Sequence, residues 1–286
     1  RIYLGDGLWS EDEIDEIVSI FDGIHHLMPN VGFVPERSDL IGQAAQEGLF
    51  WCQATAHNHT VLGYERVLTL GFEGLADEIK RGLADLVPVT DGDWQAKMVL
   101  ESLLIIAEAA CEIGERYADR VRAHLSSCSD AARAAELARL ESMLRQVPAG
   151  PARTFHEALQ SLWFAHIINT WEDGINANSL GRLDQILYPY YRCDIDEGRL
   201  TREEAFELLC LLWIKLYRDY DVQQVALGGV DAEGRDATNE LTYLMLDGTE
   251  TLGFVRCLSV RLHKDSPRAL VWRSLEHKVE LSYTAD

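Results

Sequence analysis

The sequence predicts an α/β fold that is predominantly helical, on three observations. Apolar residues recur at three- and four-residue spacing over most of the chain, the period of a helix with one buried face. Two short stretches, residues 222–229 (VQQVALGG) and 257–263 (CLSVRLH), break that period, are partly β-branched and are bounded by turn residues, as strands are. Helical segments precede, separate and follow them, which is the order of an α/β architecture.

Helix starts are readable from paired caps, in which a Ser or Thr and a Glu three residues on satisfy each other's backbone N–H groups. Ser10 and Glu13 form one such pair, Thr154 and Glu157 a second, Thr201 and Glu204 a third. Behind the second, Phe155, Ala158, Leu159, Leu162, Trp163 and His166 make one apolar stripe. Behind the third, Phe206, Leu209, Cys210, Trp213, Leu216 and Tyr220 make another. Residues 94–125 form a long helix whose apolar side chains cover more than one face, so it is expected to lie buried between neighbours. Residues 131–147 are Ala-rich, charged and amphipathic, a surface helix. VPAGPAR (147–153) reads as a turn between helices, and further helices start near Thr238 and Pro267. Two strands alone do not make a stable sheet, so the sheet is expected to need partners outside the chain.

Composition narrows the function. The chain has 286 residues, 47% hydrophobic and 26% charged, the make-up of a soluble globular protein. Its 26 basic against 47 acidic residues leave a net charge of −21. Such a surface repels phosphate backbones and anionic lipid, so neither nucleic acid nor membrane is an expected partner. No run of about 18 apolar residues suggests a membrane span. The six cysteines show no CxxC spacing, and without an export signal they read as reduced thiols in the cytoplasm. The first residue is not Met, which suggests processing or a piece of a longer chain.

Cys52, His57 and His59 in WCQATAHNHT are of metal-ligating type, but the spacing fits no zinc pattern, and the loop reads as a pocket wall or a cap. His166 lies on an apolar stripe and is expected to be a hydrogen-bonded core histidine. DAEGRD (231–236) lacks the ligand spacing of a calcium loop and reads as a polar turn. Glu172 and Asp184 could pair as acid and base, although nothing in the sequence brings them together. GxSxG, P-loop and GxGxxG motifs are absent.

The segment PARTFHEALQSLWFAHIINTWEDGINANSLGRLDQILYPYY (151–191) closely resembles the pyruvate formate-lyase domain of glycyl radical enzymes. The likeness continues through DIDEGRLTREEAFELLCLLWIKL (194–216), VALGGVDAEGRDATNELTYLML (225–246) and LSVRLHKDSP (258–267). Upstream, NHTVLGYERVLTLGFEGL (58–75) is similar to a segment that walls the family's pocket. The resemblance implies part of a ten-stranded α/β barrel, the first of two five-stranded half-barrels with its surrounding helices. It implies a radical lyase whose glycyl radical is installed by a separate iron–sulfur, S-adenosylmethionine-dependent activase and passed to a finger-loop Cys. No cysteine here stands in that finger-loop context. The resemblance therefore implies that residues 1–286 are an internal fragment with no catalytic residue of its own, the radical Cys and Gly being expected beyond Asp286. Such a fragment would bind no cofactor or metal itself and would be inactive alone.

The resemblance also assigns pocket positions. His59 stands where true pyruvate formate-lyase has a carboxylate-holding Arg and where glycerol-dehydratase-like members have a hydroxyl-binding His. Asn176 and Ala177 match positions that are His-Ser in those dehydratases and Ala-Ala in pyruvate formate-lyase. A small hydroxylated substrate and a dehydratase or C–X lyase parent are what this pattern implies, and the resemblance implies a parent that is homodimeric, in the cytoplasm that the cysteines suggest. Arg182 and Asp184 are expected to support the barrel wall beside the pocket. The alternative is a short non-catalytic paralogue that binds a ligand or a partner through its half-barrel.

Overall fold

The computed structural model describes residues 60–173, 178–218, 223–253, 257–276 and 280–283. The cap at Ser10 and the residues Cys52, His57, His59, Asn176 and Ala177 lie outside this set. So does Asp286, the residue beyond which the radical Cys and Gly are expected, and the described residues do not bear on that expectation. Five strands run in chain order: β1 (Thr60–Val61), β2 (Asn178–Ser179), β3 (Val225–Gly228), β4 (Leu258–Leu262) and β5 (Glu280–Tyr283). Nine helices are described: α1 (Tyr64–Asp85), α2 (Asp91–Ser127), α3 (Ala131–Gln146), α4 (Phe155–Asp173), α5 (Leu183–Ile186), α6 (Tyr188–Asp196), α7 (Arg202–Arg218), α8 (Glu240–Leu252) and α9 (Arg268–Glu276).

Every strand pairing is parallel. β1 pairs with β2 in the register Thr60↔Asn178. β3 pairs with β4 (Leu227↔Val260), and β4 with β5 (Val260↔Leu281). Gly181 bridges to Val225 in the parallel sense, and the Ala226 N–H donates to the Gly181 carbonyl at 2.9 Å. The strands thus form a two-stranded sheet, β1–β2, and a three-stranded sheet, β3–β4–β5, linked by the Gly181–Val225 bridge in the order expected of a half-barrel. The sheet partners expected from outside the chain are supplied from within it. The sequence reading missed β5 because ELSY is polar and short, and missed β1 and β2 because each has two residues.

Alternation along the strands divides the sheet into two faces. Val225, Leu227, Leu258 and Val260 point into the helical layer, where they join a core with Leu162, Leu241 and Leu270. Ala226, Gly228, Ser259 and Arg261 share the other face, so the side away from the helices is lined by small and polar residues.

The caps behave as read, with one difference. Thr201 and Glu204 cap each other reciprocally, at 2.8 and 3.1 Å. Thr154 accepts from the Glu157 N–H at 3.2 Å, but the Glu157 carboxylate turns to the backbone N–H and guanidinium of Arg153. Helix α2 departs further from expectation. Its inward face is a stripe of Ala107, Ala110, Gly114 and Ala118, while Met98 and Ile105 are 66% and 68% exposed. Small residues let α1 and α3 approach closely on that side, and no described element covers the opposite apolar side.

Helix α1 breaks at Gly71, where φ is +67° and ψ 172°. The 147–152 turn docks into the break: Phe72 and Glu73 donate to the carbonyls of Pro148 and Ala149 at 3.0 and 2.9 Å. A Cβ at Gly71 would lie 2.1 Å from the Ala149 oxygen, and one at Gly114 would lie 2.7 Å from the Leu144 oxygen. Both glycines thus make room for backbone. Gly71→Ala is expected to cost at least about 3 kcal/mol, from backbone strain and overpacking together. Gly63→Ala, where a Cβ meets nothing within 4 Å, is expected to stay within about 0.5 kcal/mol of the parent. Urea unfolding midpoints of the two variants check this, and equal midpoints would contradict it.

Candidate functional site

The chain leaves β2 through Ser179 and Leu180, turns at Gly181 (φ +70°) and enters the short helix α5. Arg182 and Asp184 sit at this exit. The Arg182 guanidinium donates to the carbonyls of Gly228 (2.7 Å) and Val230 (2.9 Å). Asp184 is wholly buried, and its Oδ2 accepts from the Gly228 N–H at 2.8 Å and the Thr242 hydroxyl at 2.6 Å. Asn239 closes the arrangement by capping α8 with its Oδ1 while its amide donates to the Asp184 carbonyl at 3.0 Å.

All of these bonds converge on the loop that leaves β3. Gln185 donates to the Ala237 carbonyl at 2.8 Å. From β4, His263 Nε2 lies 3.0 Å from Asp236 Oδ1, and its Nδ1 accepts from the Asp265 N–H at 3.3 Å. That second bond puts the imidazole proton on Nε2, donated to Asp236. The loop is therefore held from α5, α8 and β4 at once, and DAEGRD is its polar tip, closed by Asp231 accepting from the Arg235 backbone and guanidinium.

Burial raises the Asp184 carboxyl above the ordinary carboxylate value, opposed by the Gly228 and Thr242 bonds and by the charge of Arg182. Burial likewise lowers Arg182, offset by the charge of Asp184 and reinforced by the nearby Arg261. The cysteines near the core are not activated: desolvation pushes the Cys111 thiol up to about 11, and raises Cys210 as well. Among the described residues no group of three or more His, Cys, Asp or Glu could hold a metal ion, and no helix is long and apolar enough to cross a membrane.

Against the β1–β2 pair lie Tyr64, His166 and Thr170, the last two hydrogen-bonded to Asn178 of β2. His166 is fully buried, with its Nδ1 3.1 Å from the Tyr64 hydroxyl, the hydrogen-bonded core histidine expected from the stripe. Of the residues singled out from the sequence, Arg182 and Asp184 are brought together. The side chain of Glu172 lies outside the described residues, as do His59, Asn176 and Ala177. Sequence reasoning missed Thr242, Asn239, Gln185 and Tyr64. Asn239 followed by Glu240 and Thr242 carried a readable cap signal; the others become visible only when distant segments meet.

Comparison with known proteins identifies the setting. The pyruvate formate lyase-like family model matches residues 32–284, and the chain belongs to that family. Isethionate sulfite-lyase of Bilophila wadsworthia is 34% identical over 73% of this chain and 28% of its own length. Trans-4-hydroxy-L-proline dehydratase of Clostridioides difficile is 31% identical over 82% of this chain and 32% of its own length. A solved structure of 1,2-propanediol dehydration in Roseburia inulinivorans superposes with a TM-score of 0.80 at 29% identity, covering 94% of this chain and 36% of that one. The chain thus spans about a third of the length of the relatives it matches.

The buried carboxylate makes a pH prediction with a definite sign. Because its folded value is raised, ionising Asp184 disfavours the folded state. Stability owed to the neutral form is complete below the unfolded value, near 3.8, and is lost as pH rises through the folded one. Asp184→Asn, neutral throughout, is expected to gain on the parent over that window and to hold a constant difference above it. Asp184→Ala strands the Gly228 N–H and is expected to cost about 3 kcal/mol. Denaturant unfolding across pH 3.5 to 7 tests both, and parallel pH profiles for parent and Asn variant would refute the assignment.

Proposed function

We propose that this chain forms the substrate-binding half-barrel of a glycyl radical lyase acting on a small hydroxylated substrate, by C–O or C–X elimination or by C–C cleavage. The observation that carries the reading is the parallel register Thr60↔Asn178. His59 and Ala177 are the immediate chain predecessors of these two residues, and consecutive Cα atoms are about 3.8 Å apart. Segments remote in sequence therefore run into one paired position, as a shared pocket wall requires.

The residue types suit the substrate class. A histidine at 59 can donate or accept, and an asparagine at 176 offers one amide donor group and one acceptor, so a hydroxyl can be bonded in both senses. Alanine at 177 leaves space. The relatives' names point the same way: two concern dehydration, of trans-4-hydroxy-L-proline and of 1,2-propanediol, and the third the release of sulfite from isethionate. Arg182 and Asp184 act in this reading as wall supports rather than substrate ligands.

A glycyl radical, installed by an iron–sulfur S-adenosylmethionine activase, supplies the hydrogen-abstracting centre in this reading. The residues of this chain bind and orient the substrate and exclude water. Residues 1–286 then make up part of a pyruvate formate-lyase domain whose radical Cys and Gly lie beyond Asp286, in a homodimeric, cytoplasmic parent.

The test is anaerobic turnover by the activated full-length protein of 1,2-propanediol, trans-4-hydroxy-L-proline and isethionate. Turnover of at least one is expected, with His59→Ala lowering kcat/KM by roughly 10²-fold through loss of a hydroxyl contact. Unchanged turnover in that variant would remove His59 from the pocket.

A further inference from the structure

β1 and β2 have two residues each, too few for an alternating apolar pattern to fix their register, and a slip by one residue would turn every side chain to the other face. Something outside the ladder must set the pairing. Directly beneath it, a buried hydrogen-bonded path joins α1 to α4 and returns to β2.

Tyr64, 1% exposed, opens α1 just after β1 ends, and its hydroxyl lies 3.1 Å from His166 Nδ1. The phenol carries one proton and free lone pairs, and a neutral imidazole one protonated and one bare nitrogen, so the pair can bond in either tautomer. Burial pushes the Tyr64 pKa upward, which keeps the phenol protonated. Trp163 stacks on the imidazole, with centroids 5.9 Å apart, and Lys215 lies over Trp163, which fixes the ring plane.

From His166 the path continues to the strand. Its backbone carbonyl accepts from the Thr170 hydroxyl at 2.8 Å and from the Asn178 amide at 3.4 Å. The same Asn178 amide reaches the Thr170 oxygen at 3.2 Å. Asn178 is fully buried and is the residue in register with Thr60. The path thus begins just after β1 and ends at the first residue of β2.

We propose that Tyr64 and His166 are positioning residues that set the β1–β2 register and, through it, the placement of the two pocket segments that end at His59 and Ala177. The pocket part of this inference rests on the functional reading above; the register part does not.

Hydrogen exchange on the full-length protein separates the two. Tyr64→Phe and His166→Leu are expected to speed exchange about tenfold in peptides covering 58–62 and 176–180, while 225–228 and 258–262 keep the parental rates. His166→Gln, whose side-chain amide can pair with the Tyr64 hydroxyl in either sense, should restore the rates to within about twofold. With 1,2-propanediol as the probe, the KM of Tyr64→Phe should rise about tenfold. Equal acceleration in all four peptides would mark a plain loss of stability, and unchanged exchange at the β1–β2 pair would detach it from the network; either overturns the proposal. A local exchange response in a protein that turns over none of the three compounds would support the register role and count against the pocket reading.

Discussion

The half-barrel depends on a carboxylate with no access to water. Asp184 accepts from the Gly228 N–H, the last residue of β3, and from Thr242, in the first turn of α8. One oxygen thereby ties the exit of β2 to the exit of β3 and to the helix that follows it. Leaving such a carboxyl buried is costly unless it is hydrogen-bonded, so the geometry of the three elements is coupled: each must be present for the others to be tolerable. Arg182 adds the complementary half, binding carbonyls of the same loop and placing a positive charge beside the acid. The remaining contacts, from Gln185, Asn239 and His263, hold a loop whose start this pair has already fixed.

The outer layer follows a different principle. There, backbone rather than charge does the locking. The 147–152 turn enters the break in α1 and rests against α2, and at both places only a residue without a Cβ leaves room. Ion pairs decorate this layer, as where Arg145 reaches from α3 to Glu115 and Asp119 of α2. Being exposed, they contribute little beside the packing.

Much of this was legible in the sequence, for reasons that differ element by element. α4 and α7 could be read because cap and stripe agree, and β3 and β4 because a short β-branched run interrupts a helical period. β1 and β2 could not, since two residues give no period to detect, and β5 could not because ELSY is polar as well as short. The many-faced apolar pattern of α2 misled because hydrophobicity states that a face can be buried, while the size of its residues decides which face a neighbour can reach. The site shows the same division. Arg182 and Asp184 stand out as charges between apolar residues, but their partners Gly228, Thr242 and Asn239 come from segments that only the tertiary structure brings near. The pocket positions proposed at 59, 176 and 177 come from family resemblance and not from residue chemistry.

The parallel direction of all five strands has a consequence for how such a protein can diversify. Each strand is entered at one rim and left at the other. Residues 59 and 177 precede strands, whereas Arg182, Asp184 and the loop after β3 follow them. Under the proposed function, substrate preference and barrel integrity are thus written at opposite ends of the same strands. A lineage can rewrite the first without disturbing the second. A family built this way is free to explore new chemistry on an old frame.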